Sequence, residues 1–80
     1  MTKRIFCKQA YVLDEIRLNM SYNKMSYSKA VREAVRDFNS HNWTKECDGR
    51  EVIVGADGSL RCGTYTMNRD WCIEVKCDDN

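Results

Sequence analysis

The sequence contains no proline and only four glycines in 80 residues. Without proline there is no rigid Pro-rich spacer and no polyproline ligand segment. Turns must instead be made by Gly, Asn, Asp and Ser. No apolar run approaches the roughly 20 residues that a membrane-spanning helix needs, so no membrane partner is expected. The opening residues Met-Thr-Lys-Arg-Ile-Phe-Cys-Lys lack the apolar stretch of a signal peptide, and a cytoplasmic location is expected. Histidine is also scarce. His41 stands alone, a thin basis for catalysis, and reads as a helix C-terminal cation or surface group. There is no glycine-rich phosphate loop, no zinc-protease motif and no convincing carboxylate pair. The chain is expected to be non-enzymatic and to carry no cofactor.

Cysteine, by contrast, is plentiful: Cys7, Cys47, Cys62, Cys72 and Cys77. An odd number without a secretory signal argues against a disulfide framework. The gaps are long and irregular, unlike the paired ligands of a zinc site. A Cys47/Cys62/Cys72/Cys77 metal site and a thiol nucleophile paired with His41 remain minor alternatives. Cysteines acting as small buried hydrophobes are the default reading, and no metal is expected.

Eighty residues make one small domain or half of a dimeric core, since a chain this short buries only about 60% of its unfolded surface. The net charge of +1 hides an asymmetry. Residues 1–45 carry nine cations and four anions, whereas residues 46–80 carry four cations and eight anions. A basic half suits a nucleic-acid surface, because neutralised phosphates release counterions. Modest positive charge also simply keeps a domain soluble.

The clearest periodicity runs from Met25 to Phe38. Ala30, Val31, Ala34, Val35 and Phe38 recur at helical spacing, with Lys29, Arg32, Glu33, Arg36 and Asp37 on the other side. Ser26 or Ser28 is the expected N-cap. Upstream, residues 2–8 read as a short strand. Lys3, Ile5 and Cys7 face one way and Arg4, Phe6 and Lys8 the other. Residues 9–23 read as a first helix through Val12, Leu13, Ile16 and Met20. The short joint at Asn23-Lys24 suggests a corner between two packed helices.

Strand, helix, tight turn, then Ser26-Tyr-Ser-Lys-Ala-Val-Arg-Glu-Ala-Val-Arg-Asp-Phe38 resembles the ribbon-helix-helix family of DNA-binding proteins, over the N-terminal half only. The spacing from Val12-Leu13-Asp14 to Ser26 is also similar to that of the family's Arc type. The resemblance implies a homodimer whose N-terminal strands pair into an antiparallel ribbon in the major groove of double-stranded DNA. It implies that Ser26, Tyr27, Ser28 and Lys29 open the second helix at a backbone phosphate. Base reading would fall to Lys3, Ile5 and Cys7, or to Arg4, Phe6 and Lys8 if the register shifts by one. Neither face matches the family pattern cleanly, and a strand that only packs in a sheet is the plain structural alternative.

After residue 50 the period changes. Residues 51–55 read as a strand, Ala56-Asp-Gly-Ser59 as a hairpin turn, residues 60–66 as a second strand, Asn68-Arg-Asp70 as a turn and residues 71–77 as a third strand. In this last strand Trp71, Ile73, Val75 and Cys77 share a buried-looking face, opposite Cys72, Glu74 and Lys76.

The expected fold is α+β: β-α-α followed by a three-stranded antiparallel meander, dimeric through the N-terminal strand. Residues 1–43 form the ribbon-helix-helix-like part and residues 44–80 the meander packed on it. The leading functional expectation is a small homodimeric DNA-binding regulator or repressor. The alternative is a small non-enzymatic inhibitor, of the kind phages and plasmids carry, that binds a host protein or defence complex. In that case the first strand would join the meander in a single sheet, and the face with Tyr65, Trp71 and Ile73 would be a candidate contact surface.

Overall fold

The computed structural model describes residues 2–76. It is an α+β fold with elements in the order β1 (Thr2–Phe6), α1 (Lys8–Ser21), α2 (Tyr27–Ser40), α3 (Asn42–Cys47), β2 (Glu51–Val54), β3 (Leu60–Cys62), β4 (Tyr65–Met67) and β5 (Cys72–Lys76). A 3-10 turn at Arg69–Trp71 precedes β5. The coarse order of strand, helices and antiparallel sheet is the expected one.

The topology departs from a meander. All five strands form one sheet in the order β4-β3-β2-β1-β5. β1 pairs antiparallel with β2 (Arg4 with Val52, Ile5 with Glu51) and along its whole length with β5 (Ile5 with Ile73, Phe6 with Cys72). β1 is therefore paired within the chain along its whole β5 edge and, on its β2 edge, at Arg4 and Ile5. The strand expected over residues 60–66 breaks at Gly63, whose φ of +61° admits glycine at no steric cost. The break folds β3 and β4 into a hairpin, with Cys62 paired to Tyr65. The Ala56–Ser59 turn forms as its Asp-Gly signal predicts. Gly58 takes φ +85°, and Ser59 donates from both its amide and its hydroxyl to Asp57 Oδ1. Those donors hold the Asp57 carboxyl below the usual carboxylate range.

The helices cover one face of the sheet. α1 and α2 are an antiparallel pair: Tyr11 meets Phe38, and Ile16 packs with Ala30 and Ala34. The Asn19 side-chain amide donates to the Ala30 carbonyl at 3.4 Å. Alanine at these two positions lets the helices approach closely. The main core lies where this hairpin meets the sheet. It joins Phe6, Tyr11, Phe38, Cys47, Val52, Leu60, Cys62 and Met67, flanked by Trp43 and Trp71. Phe6 is fully buried, with its ring 6.0 Å from Tyr11 and 5.5 Å from Trp43.

α3 was not expected, because Asn39-Ser-His-Asn42 reads as a helix stop. The stop is real, but the chain re-enters a helix at once. Thr44, fully buried, explains how. Its hydroxyl lies 2.6 Å from the Phe38 carbonyl and 2.7 Å from the His41 carbonyl, so one proton serves acceptors at the end of α2. His41 is the residue between the helices, and its Nδ1 lies 2.8 Å from the Asp37 carbonyl.

Two substitutions test this packing. Phe6→Ala should cost about 3–5 kcal/mol. Thr44→Val keeps the shape but removes the hydroxyl bonds to both carbonyls, and should cost about 1–3 kcal/mol. Both are read as a lowered midpoint of urea unfolding.

Candidate functional site

The residues expected to read DNA are split by the fold. Lys3 and Ile5 point to the sheet face that no helix covers, and Arg4 and Phe6 to the helix side. Phe6 is core and can contact nothing outside. Arg4 Nη2 is 3.3 Å from Glu74 Oε1 on the neighbouring strand. Cys7 follows β1 as the N-cap residue of α1, with its amide bonded to the Trp71 carbonyl at 3.0 Å. Lys8 starts α1: its amide donates to Asp48 Oδ1, and its Nζ lies 5.2 Å from the centre of the Phe38 ring.

Ser26 occupies the N-cap position of α2 with no side-chain cap bond, and Tyr27, Ser28 and Lys29 are exposed. This end of the helical hairpin lies one α1 length, about 21 Å, from the end of β1. The structure thus does not bring the phosphate-clamp residues together with the strand. The exposed row Lys29, Arg32 and Arg36 on α2 makes no ion pair among the described residues.

The predicted Tyr65, Trp71 and Ile73 face is also divided. Trp71 leaves the strand for the 3-10 turn, held by Asn68 Oδ1 accepting from the Asp70 amide. Its ring packs 4.8 Å from Tyr11, and its Nε1 donates to Asp14 Oδ2 at 3.0 Å. Tyr65 stacks on Trp43 at 5.7 Å, on the helix side. This one-residue step reverses β5. Cys72 turns inward, where its thiol meets the Met67 sulfur at 3.6 Å, and Ile73 turns outward. Cys77 lies outside the described residues.

What the fold does assemble is the uncovered sheet face. Ile5 and Ile73 are paired across β1 and β5, as are Lys3 and Val75. Ile53 joins them from β2, beside Val52, the partner of Arg4. Ile53 is 69% exposed and Ile73 44%, whereas Ile5 and Val75 are half-buried by their strand neighbours. Lys3, Glu51, Arg61 and Thr66 share this face. Apolar side chains from three strands interspersed with charged ones give this exposed face the mixed character of a contact surface. Period-2 alternation marks Lys3 and Ile5 as sharing a face. The contribution of Ile53 and Ile73 depends on the order of strands far apart in sequence.

A second, polar constellation lies between α1 and α2. The Tyr11 hydroxyl donates to Asp37 Oδ2, and burial together with that carboxylate pushes the phenol upward, so it stays protonated. Glu15, Asn19, Met25, Glu33, Arg36, Asp37 and Ser40 line a groove of about 250 Å³. Burial first, then the charges of Asp37 and Asp14, push the Glu15 carboxyl up, against a smaller pull from His41. At its rim Ser40 Oγ lies 3.2 Å from His41 Nδ1 and donates to the Asp37 carbonyl, while Tyr11 and Asp37 tie two helices together. Among the described residues no three His, Cys, Asp or Glu side chains gather as a metal site requires. No protein-family model, curated protein or solved structure matches the chain.

Glu15 generates a pH prediction. Its folded pKa lies above the ordinary 4.5, so the folded state binds the proton more tightly than the unfolded chain. Its contribution to stability is full below that ordinary value and is lost as pH rises through the raised one. Glu15→Gln should therefore remove part of the decline in unfolding midpoint between about pH 4 and pH 7. The check is urea unfolding of both proteins across that range.

Proposed function

We propose that this protein works by binding another protein through its uncovered sheet face, without catalysis, as a small inhibitor of the kind phages and plasmids carry. The observation that carries the reading is the position of β1. It lies inside the chain's own sheet, hydrogen-bonded to β2 on one edge and β5 on the other. A ribbon shared between two chains needs a free β1 edge, and breaking either ladder would expose backbone groups that are now paired. The position of β1 therefore favours a protein-binding reading over a DNA-reading ribbon built by a homodimer.

The same topology leaves Ile5, Ile53, Ile73 and Val75 without a cover among the described residues. Burial of such side chains at the centre of an interface is what drives association. The flanking Lys3, Glu51 and Arg61 would pair with opposite charges on the partner and fix the register of docking. The partner is thus a folded protein presenting an apolar patch with charges of both signs around it.

The test compares the wild-type protein with Ile53→Asp and Ile73→Asp, with Leu13→Asp on the helical hairpin as control. Leu13 is 61% exposed and lies far from this face. Partner protein captured from host extract should be lost, or bound at least about tenfold more weakly, with the two sheet variants, and retained by the control. The wild-type protein should be monomeric by light scattering over a dilution series. Capture that is indifferent to Ile53 and Ile73 would overturn the reading. So would double-stranded DNA binding with steep salt dependence through Lys29, Arg32 and Arg36.

A further inference from the structure

The interior holds two thiols that the binding surface does not use. Cys47, the last residue of α3, and Cys62, the last residue of β3, are both buried in the main core, at 2% and 5% exposure. The Cys47 sulfur faces β3, 4.0 Å from the Cys62 carbonyl oxygen, and both residues belong to the same buried cluster. The described cysteines are all free thiols. Cys72 has its own sulfur neighbour in Met67. Cys7, between β1 and α1, has its amide bonded to the Trp71 carbonyl.

We propose that Cys47 and Cys62 are a modification site: an oxidisable pair that closes to a disulfide and staples α3 to the β3–β4 hairpin. The oxidant class is a small-molecule disulfide such as oxidised glutathione. One protein thiolate attacks the small disulfide, forming a mixed disulfide and releasing one small thiol. The second protein thiolate then displaces the other small thiol and forms the Sγ–Sγ bond. The protein loses two electrons and two protons, and the small disulfide is reduced to two thiols.

Burial makes the reaction slow in the folded protein. It pushes the Cys47 thiol up to about 12, and the thiolate is the reacting form. The bond therefore forms during folding, or when α3 lifts from the sheet. Once formed, it closes the segment that contains β2 and the Ala56–Ser59 turn, which restricts the unfolded chain.

The full chain is refolded from urea in a mixture of reduced and oxidised glutathione, then alkylated and digested with trypsin. Cleavage after Lys45, Arg50, Arg61, Arg69 and Lys76 places Cys47, Cys62, Cys72 and Cys77 in separate peptides. The expected result is a Cys47–Cys62 cross-linked peptide at least about tenfold above any other pairing, an intact mass about 2 Da lower, and a higher melting temperature than the reduced protein. A second sample carries Cys7→Ser, Cys72→Ser and Cys77→Ser, and should form the same bond. Pairing of Cys62 with Cys72 in the wild-type chain would overturn the proposal. So would full alkylation of Cys47 and Cys62 after refolding in glutathione.

Discussion

The fold hangs on the end of β1. Phe6 places its ring in the aromatic core, and its backbone ties down the loop ahead of β2. Its amide donates to the Arg50 carbonyl at 3.1 Å, and its carbonyl accepts from the Gly49 amide at 2.8 Å. One residue on, the Cys7 amide bonds the Trp71 carbonyl. Within two residues the chain fixes the approach to β2, the turn before β5 and the start of α1. Gly49 carries φ +81°, a backbone state that costs other residues energy. Glycine at this position therefore lets the loop turn onto β1; it is the conformation that requires it, since an added Cβ would meet nothing within 4 Å. A strand pinned on both edges and buried at its end cannot be exchanged for a partner's strand without dismantling the core.

One-sided coverage follows from this geometry. α1 starts one residue after Phe6, at Lys8, and runs from that end of the sheet, so the helical layer seals Phe6, Val52, Cys72 and the β3–β4 hairpin. Beyond that layer, Arg4 and Glu74 meet in a partly exposed ion pair across neighbouring strands, the sort of contact worth little by itself. On the far side nothing among the described residues crosses the sheet. The polar network of Tyr11, Asp37 and Asp14 holds the helices to each other and to Trp71. It has the character of a structural tie, because the Tyr11 phenol is held protonated by its surroundings.

Local pattern made much of this legible and left the rest hidden. α2 was readable because Ala30, Ala34 and Phe38 repeat at helical spacing, and the structure buries these three. The Asp57-Gly58 turn was readable from its dipeptide. Three features depend on tertiary contacts. The break at Gly63 is a single glycine in an otherwise β-like run. The inward turn of Cys72 depends on the Asn68 cap that takes Trp71 off the strand. The placement of β5 beside β1 rather than β3 joins segments some 70 residues apart. α3 needed Thr44, whose capping role shows only when the end of α2 is in view. For the binding face, alternation marked Lys3 and Ile5 as companions. Nothing local says which side of the run Glu51-Val-Ile-Val54 faces water, so Ile53 was invisible as a surface residue.

The open face could be read as a by-product of strand formation, since β-branched residues favour strands wherever they point. Energetics weigh against that as the whole account. Threonine offers the same β-branching while tolerating water. An isoleucine left outside forgoes about 1.5–3 kcal/mol of burial, a large sum in a chain whose total stability is small. An apolar face on a sheet also invites aggregation unless charges interrupt it. Here Lys3 sits between Val75 and the Ile53 side of the sheet, Glu51 is opposite Ile5, and Arg61 is opposite Ile53. Ile5, Ile53 and Val75 thus each face a charged residue, while Ile73 faces Ile5. This limits indiscriminate pairing while leaving the apolar side chains exposed. Such spacing keeps a hydrophobic patch in water until a matching surface covers it, which supports reading the face as a partner site over reading it as unused surface.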